Sequence, residues 1–265
     1  MSSERPLPTN VRRARILERI QQVGGASLAE FAAEHAVSTI TVHRDLEQLS
    51  RDGLVVRFHG GARAGVASDD GESRAETAWD RRLREAAEAK DAIARRARGL
   101  VRDGATIFLD GTSTVFALAH QLQEAPAEDL TIVTTSPAIA LGLEEGTARV
   151  IVAPGEVDLR TRVIADGWTV EFLERIKVDA AFVSGAGFDL EHGLTTSRRQ
   201  LADALTAVRR STDLVFALVD ASKLGRCAMV SMIPARELDA VIVDDGADAD
   251  LLAAYRAGGV DVHVA

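Results

Sequence analysis

The pattern that most restricts the fold lies in the second half of the chain. Residues 105–109, 130–134, 149–153, 180–184, 214–219, 240–243 and 260–264 are apolar runs of strand length. Helical stretches such as 114–123, 198–210 and 248–257 lie between them. Strands that are continuously apolar, rather than alternating, are buried on both faces. With helices in between, that implies a mostly parallel sheet covered on both sides. Ligands of such sheets bind beyond the carboxyl ends of the strands.

The polar residues at those strand ends are therefore the candidate site. Asp110, Gly111, Thr112, Ser113 and Thr114 follow the first run and open a helix, an arrangement of N–H groups and hydroxyls that suits a phosphate. Thr134, Thr135 and Ser136 do the same after the second run, with Pro137 in the first helical turn. Gly185 and Gly187 follow the run at 180–184, where small residues let a ligand approach the backbone. Asp220, Ser222 and Lys223 follow the run at 214–219, a carboxylate for sugar hydroxyls and an ammonium for phosphate. Each loop alone resembles a helix cap, but four at corresponding strand ends point to a shared pocket.

The first 63 residues read differently. Residues 11–23 place Ile16, Leu17, Ile20 and Val23 on one helical face, ended by Gly24-Gly25. Ser27 with Glu30 is a capping-box pair opening a second helix, with Leu28, Phe31 and Ala32 turned inward. Ser38 caps a third, V-S-T-I-T-V-H-R-D-L-E-Q-L, whose buried stripe is Val42, Leu46 and Leu49. Thr39, Thr41, His43 and Arg44 fall on its other side, and with Ser38 at its start they are the candidates to meet base edges and phosphates from the major groove. Asp52-Gly53 ends it. Residues 54–58 read as a strand and Gly60-Gly61 as a turn, giving a two-stranded wing with Arg57 and His59 near its tip. Residues 1–64 carry nine arginines against seven acids, a net of +2, on a chain whose overall charge is −9. A basic module on an acidic body suits contact with DNA phosphates while limiting non-specific binding.

These motifs carry a family resemblance. Val37, Ser38, Thr41, Arg44, Asp45, Leu46, Leu49, Gly53, Arg57, His59, Gly60 and Gly61 match the N-terminal pattern of DeoR-type bacterial transcriptional regulators. Lys90 with Ile93-Ala94, Asp110 with Ser113-Thr114, Thr134 with Ser136, Gly187 with Asp189, Gly193, and Asp220 with Ser222-Lys223 resemble their sensor domain. The chain departs from the pattern at Val42, His43, Thr112, Pro154, Leu201 and Leu205. The resemblance implies a sheet akin to ribose-5-phosphate isomerase and coenzyme A transferases that senses a phosphorylated sugar. It singles out Asp220 and Lys223 as effector contacts.

The expected architecture is thus α/β: a winged helix-turn-helix over residues 1–63, a linker over 64–80, and a Rossmann-like effector-sensing domain over 81–265. Residues 81–101 read as one helix with Leu83, Ala86, Ile93, Ala97, Leu100 and Val101 inside. The expected function is a repressor released from its operator by a phosphorylated sugar or related metabolite. It would act as a homo-oligomer, dimer or tetramer, since one such module covers a half-site. A sugar-phosphate isomerase or transferase with an appended DNA module is the alternative, with Asp110 or Asp220 as base. No catalytic set, cofactor or metal constellation is evident, since the six histidines are scattered and the one cysteine, Cys227, cannot form a thiolate-rich zinc site. The chain has no membrane-length apolar run and no signal peptide, and one thiol suits a cytoplasmic setting.

Overall fold

The computed structural model describes residues 9–23, 25–35, 37–51, 55–58, 61–64 and 78–265. The chain divides into two compact units, Met1–Ala75 and Glu76–Ala265.

In the first unit, α1 (Thr9–Val23), α2 (Leu28–Glu34) and α3 (Thr39–Arg51) pack around Ile16, Ile20, Phe31, Val42, Leu46 and Leu49. These are the apolar positions that helical spacing selects. The sheet differs from expectation. Strands β2 (Val55–Phe58) and β3 (Gly61–Ala64) form the wing, but β1 (Gly25–Ser27) adds a third strand, antiparallel to β3 with Ser27 opposite Gly61. A three-residue Gly-Ala-Ser strand has no alternating pattern to betray it and pairs through its backbone alone. Asp52-Gly53, His59 and Gly60 lie outside the described residues.

An ion pair fixes α3 from behind. Asp45 stands three residues after Val42 and so falls on the buried side. Its two oxygens accept from Arg12 Nε at 2.5 Å and Arg13 Nε at 2.9 Å, both on α1. Burying a carboxylate is costly unless it is paired and hydrogen-bonded, and here both conditions are met.

In the second unit, β4 (Thr106–Leu109), β5 (Thr131–Thr134), β6 (Arg149–Val152), β9 (Val178–Val183), β12 (Thr212–Leu218), β14 (Ala240–Val243) and β15 (Val262–Val264) form one seven-stranded sheet. Every pair is parallel, in the order β15-β14-β12-β9-β4-β5-β6. Each apolar run of the sequence supplies one strand. The order reverses between β4 and β9, where chains leaving neighbouring strands diverge and open a crevice.

Helices α5 (Ala87–Arg98), α6 (Ser113–Glu124) and α7 (Pro137–Gly142) cover one face, packing Ile93, Leu118 and Ile139 on Ile107, Ile132 and Phe182. On the other face α8 (Gly167–Leu173), α9 (Arg199–Arg210) and α10 (Ala249–Ala257) pack Leu173, Leu205 and Leu252 on Phe108, Val215 and Val241. A hairpin of β7 (Val157–Asp158) and β8 (Val163–Ile164) and an antiparallel sheet of β10 (Gly187–Asp189), β11 (Gly193–Thr196) and β13 (Val230–Ile233) complete the unit. These short strands and α8 were not legible in the apolar pattern.

Two expectations are corrected. Residues 81–101 are not one helix: α4 (Ala78–Arg84) and α5 are separated at Glu85-Ala86, with Ala86 exposed at φ 51° rather than turned inward. A left-handed alanine costs roughly 1–2 kcal/mol. The Lys90 ammonium offsets this by donating to the main-chain carbonyls of Arg82 and Glu85 at the end of α4. Of the residues expected as a linker, 64–80, Ala64 belongs to β3 and Ala78–Asp80 form the first turn of α4, and the remainder lie outside the described residues. Trp79 of α4 is fully buried, edge-on to Phe116 of α6 at 5.5 Å between ring centroids.

Removing the Asp45 carboxylate breaks a buried ion pair to Arg12 and Arg13 and opens a gap behind α3. Asp45→Ala is expected to cost the first unit about 3–5 kcal/mol. Denaturant unfolding of the full chain measures this, and an unchanged transition would show that apolar packing alone holds α3.

Candidate functional site

The candidate operator-reading helix is α3. The Ser38 hydroxyl caps it, accepting from Thr41 N at 3.2 Å, and the Ser38 and Thr41 hydroxyls lie 2.9 Å apart. These two hydroxyls are therefore engaged with each other at the helix start. Thr39 and Arg44 are exposed, while Val42, Asp45 and Leu46 are buried on the opposite side. His43 stands in α3, and Arg57 stands in β2 opposite Ala62. Their side chains, like all of His59, lie outside the described residues. Arg12 and Arg13 are committed to Asp45, so the count of nine arginines overstates the charge available to DNA. The signal for this was in the sequence: an acid at the spacing of a buried stripe demands a partner.

In the second unit, a cleft of about 420 Å³ opens at the carboxyl ends of the strands, where the sheet order reverses. Gly111, Thr112, Ser113 and Thr114 from the β4–α6 loop line it. Gly185 after β9 and Asp220, Ser222 and Lys223 after β12 join them, so eight of the sequence-predicted residues converge. Thr112 caps α6 through Val115 N at 3.4 Å, which keeps the first N–H groups of that helix aimed at the cleft.

Four predicted residues do not line it. Asp110 is fully buried beneath the floor. One oxygen accepts from Thr112 N at 2.8 Å and Thr112 Oγ1 at 2.6 Å, and the other from Ser184 N at 2.6 Å. Ser136 caps α7 through Ile139 N at 3.4 Å, and Thr135 is buried beside it. Gly187 lies in β10, where a Cβ would stand 2.3 Å from the Arg226 carbonyl. Gly185 does line the cleft, but its small size serves packing: a Cβ would stand 2.7 Å from the Thr195 carbonyl.

The charges of the cleft come mostly from outside the strand-end loops; of these residues the sequence singled out Lys90, by resemblance, but not Arg82, Glu85 or Arg198. Arg82 and Glu85 lie on and after α4, Lys90 on α5, and Arg198 just before α9. Together with Lys223, four cations face the carboxylates of Glu85 and Asp220. Arg198 donates to Thr161 Oγ1 at 2.7 Å and Asp158 Oδ2 at 2.8 Å, fastening the β7–β8 hairpin over one side. Asp220 caps its own short turn through Ser222 N at 3.1 Å and stands 3.9 Å from Lys223 Nζ. The Arg82 guanidinium lies 5.9 Å from the centre of the Trp79 ring, and its Nη2 is buried with no hydrogen-bond partner among the described residues.

Burial lowers the pKa of Arg82, with Arg198 nearby adding to the effect. Burial likewise lowers Lys90, opposed by Asp220 and reinforced by Lys223. Partly desolvated cations facing one another are what an anion would relieve. A hollow of about 470 Å³ between α8 and α9 is slightly larger, but there Asp166, Glu174 and Asp203 face Arg210 alone, a poor host for an anion.

Burial pushes the Asp110 carboxyl up to about 6, against the pull of Thr112, Ser184 and Arg82. The folded chain therefore holds more protons than the unfolded chain between pH 3.8 and about 6. Stability contributed at Asp110 falls as pH rises through that window, by about 3 kcal/mol in all, and is level above it. In Asp110→Asn this slope is expected to vanish. Urea unfolding of variant and parent on both sides of the window measures it, and a variant-to-parent difference independent of pH would show an ordinary carboxyl.

Comparison with known proteins agrees with both halves of this description. Residues 12–65 match the DeoR-like helix-turn-helix domain and residues 85–245 the DeoR C terminal sensor domain. The HTH-type transcriptional regulator GlpR of Haloferax volcanii is 31% identical over 95% of this chain and 96% of its own length. The glycerol-3-phosphate regulon repressor of Escherichia coli K12 is 31% identical over 86% of this chain and 88% of its own. Among solved structures, ribose 5-phosphate isomerase from Plasmodium falciparum aligns over 52% of each chain at 20% identity, with a TM-score of 0.38, too loose a match to bear on function. With both of its units matched by the family's own domains and relatives aligned along nearly all its length, the chain belongs to the DeoR family.

Proposed function

We propose that this chain is a DNA-binding repressor whose operator affinity is controlled by a phosphorylated sugar or a related phosphorylated metabolite. The observation that carries the reading is the joining, in one chain, of an anchored helix with an exposed Thr39 and Arg44 to a cleft where four cations face two carboxylates. The names of the relatives support it, since they are regulators and repressors, one of them of a glycerol-3-phosphate regulon. Thr39, Thr41, His43 and Arg44 meet the major groove, with Arg57 and His59 on the backbone. The effector phosphate takes the N–H groups of Ser113 and Thr114 with Lys90, Lys223 and Arg82, and its hydroxyls take Asp220. Effector binding shifts the population away from the DNA-competent state, which requires different affinities for the two states.

The protein works as a homo-oligomer, because one module covers a half-site. No helix among the described residues is long and apolar enough to cross a membrane, which suits a cytoplasmic regulator. The isomerase-like alternative lacks comparable support: both oxygens of Asp110, one of its candidate bases, are taken by main-chain and hydroxyl donors beneath the cleft.

Fluorescence anisotropy on DNA from upstream of the gene, at fixed salt, tests both halves. Arg44→Ala is expected to weaken operator binding at least a few fold, and unchanged affinity would remove α3 from the interface. Lys223→Ala is expected to raise the sugar-phosphate concentration needed for release about tenfold or more, while leaving binding without effector as it was. Release at the parent concentration would take Lys223 out of the effector site.

A further inference from the structure

Away from the cleft, the sensor unit brings together three side chains of a different chemistry. Asp189 ends β10, His192 lies in the turn before β11, and Cys227 lies in the loop before β13. One carboxylate oxygen, one imidazole nitrogen and the thiol sulfur all lie within 4.8 Å of one another. Separations of three and thirty-five residues match no familiar ligand spacing, so the group is visible only in the fold.

We infer that Asp189, His192 and Cys227 form a binding site for a zinc-class divalent transition metal, completed by water. The donor set decides the metal. A thiolate and an imidazole with a single carboxylate suit Zn²⁺, Co²⁺ or Ni²⁺, whereas Ca²⁺ and Mg²⁺ require several oxygens. Three protein ligands with an open fourth position is the arrangement of an accessible zinc site, and His192 and Cys227 are exposed. Binding displaces the thiol proton of Cys227 to solvent and leaves Sγ as the metal-bound thiolate.

The ligands stand on a backbone held from several sides, so little ordering remains to oppose binding. His192 N donates to Asp189 Oδ1 at 2.6 Å, and the His192 carbonyl accepts from Ser231 Oγ at 2.6 Å. The Cys227 loop is held on either side: Gly225 N donates to the Phe188 carbonyl at 2.9 Å and to the Tyr255 hydroxyl at 2.8 Å, and Ala228 N donates to Thr195 Oγ1 at 2.9 Å. The site also adjoins the cleft through the chain itself. The loop carrying Cys227 begins at Asp220 and Lys223, and the strand after His192 runs on to Thr196 and Arg198.

The test uses the full-length protein stripped with a chelator and titrated with Co²⁺, then with Zn²⁺ in competition. One equivalent of Co²⁺ is expected to produce thiolate-to-metal charge-transfer absorption with the intense visible bands of a tetrahedral site, and Zn²⁺ to abolish both. Cys227→Ser is expected to lose the charge-transfer band. Cys227→Ser and His192→Gln should each weaken metal binding by more than a hundredfold, beyond the roughly 10–100-fold that loss of a supporting residue costs. Unchanged circular dichroism melts without metal would show that both variants fold. Co²⁺ bound without a thiolate band, binding that either substitution leaves intact, or no binding at all would each overturn the assignment.

Discussion

The carboxylate of Asp110 joins the two halves of the sensor sheet at the point where its order reverses. It follows β4 and accepts from Ser184 N after β9, across the crevice, while its other oxygen holds the Thr112 turn that opens α6. Burying it is expensive, which is why its pKa rises, yet three short donors make the ionised form tolerable. What they achieve is positional. The first turn of α6 and the backbone after β9 are fixed relative to each other, and the floor of the cleft is the surface between them. Asp110 is thus a buried support of the site, where the sequence placed it among the effector contacts.

The cations around that floor act on the same electrostatic terms. Lys90 closes the break between α4 and α5 by satisfying the carbonyls of Arg82 and Glu85, so one ammonium both shapes the chain and charges the cleft. Arg82 and Lys90 are both disfavoured as cations by burial, and each is further disfavoured by a neighbouring positive charge. A phosphate would lower the energy of both at once.

Much of this was legible in the sequence, for a physical reason. Strands buried on both faces must be apolar throughout, so all seven strands of the main sheet appeared as runs. The helical stripes of α1 and α3 were equally plain, because Ile16, Ile20, Val42, Leu46 and Leu49 have to share one core. What escaped was short or tertiary in origin. Strands of two to four residues, such as β1, β7 and β10, carry too few side chains to show a period. The break at Ala86 lies in a stretch of strong helix formers, and the reach of Lys90 back from the next helix stabilises it. The loops of the cleft announced themselves and Lys90 showed through the family resemblance, whereas Arg82 and Arg198 sit on a helix or at a helix start, where a charge ordinarily reads as solvated surface. Ser136 met the same polar description for the plainer purpose of starting α7, with Thr135 buried beside it.

The pairing of Asp45 with Arg12 and Arg13 divides α3 into two sides with separate obligations. One side, with Val42, Leu46 and Leu49, is answerable to the core. Exposed residues such as Thr39 and Arg44 are not. Exchanges at those exposed positions leave the anchor and the core of the first unit untouched, so under the proposed function the sequence read by α3 is free to drift with little cost in folding. Under the same reading, duplicated copies of such a chain have a short route to new target genes, because the residues that change stand apart from those that fold the first unit.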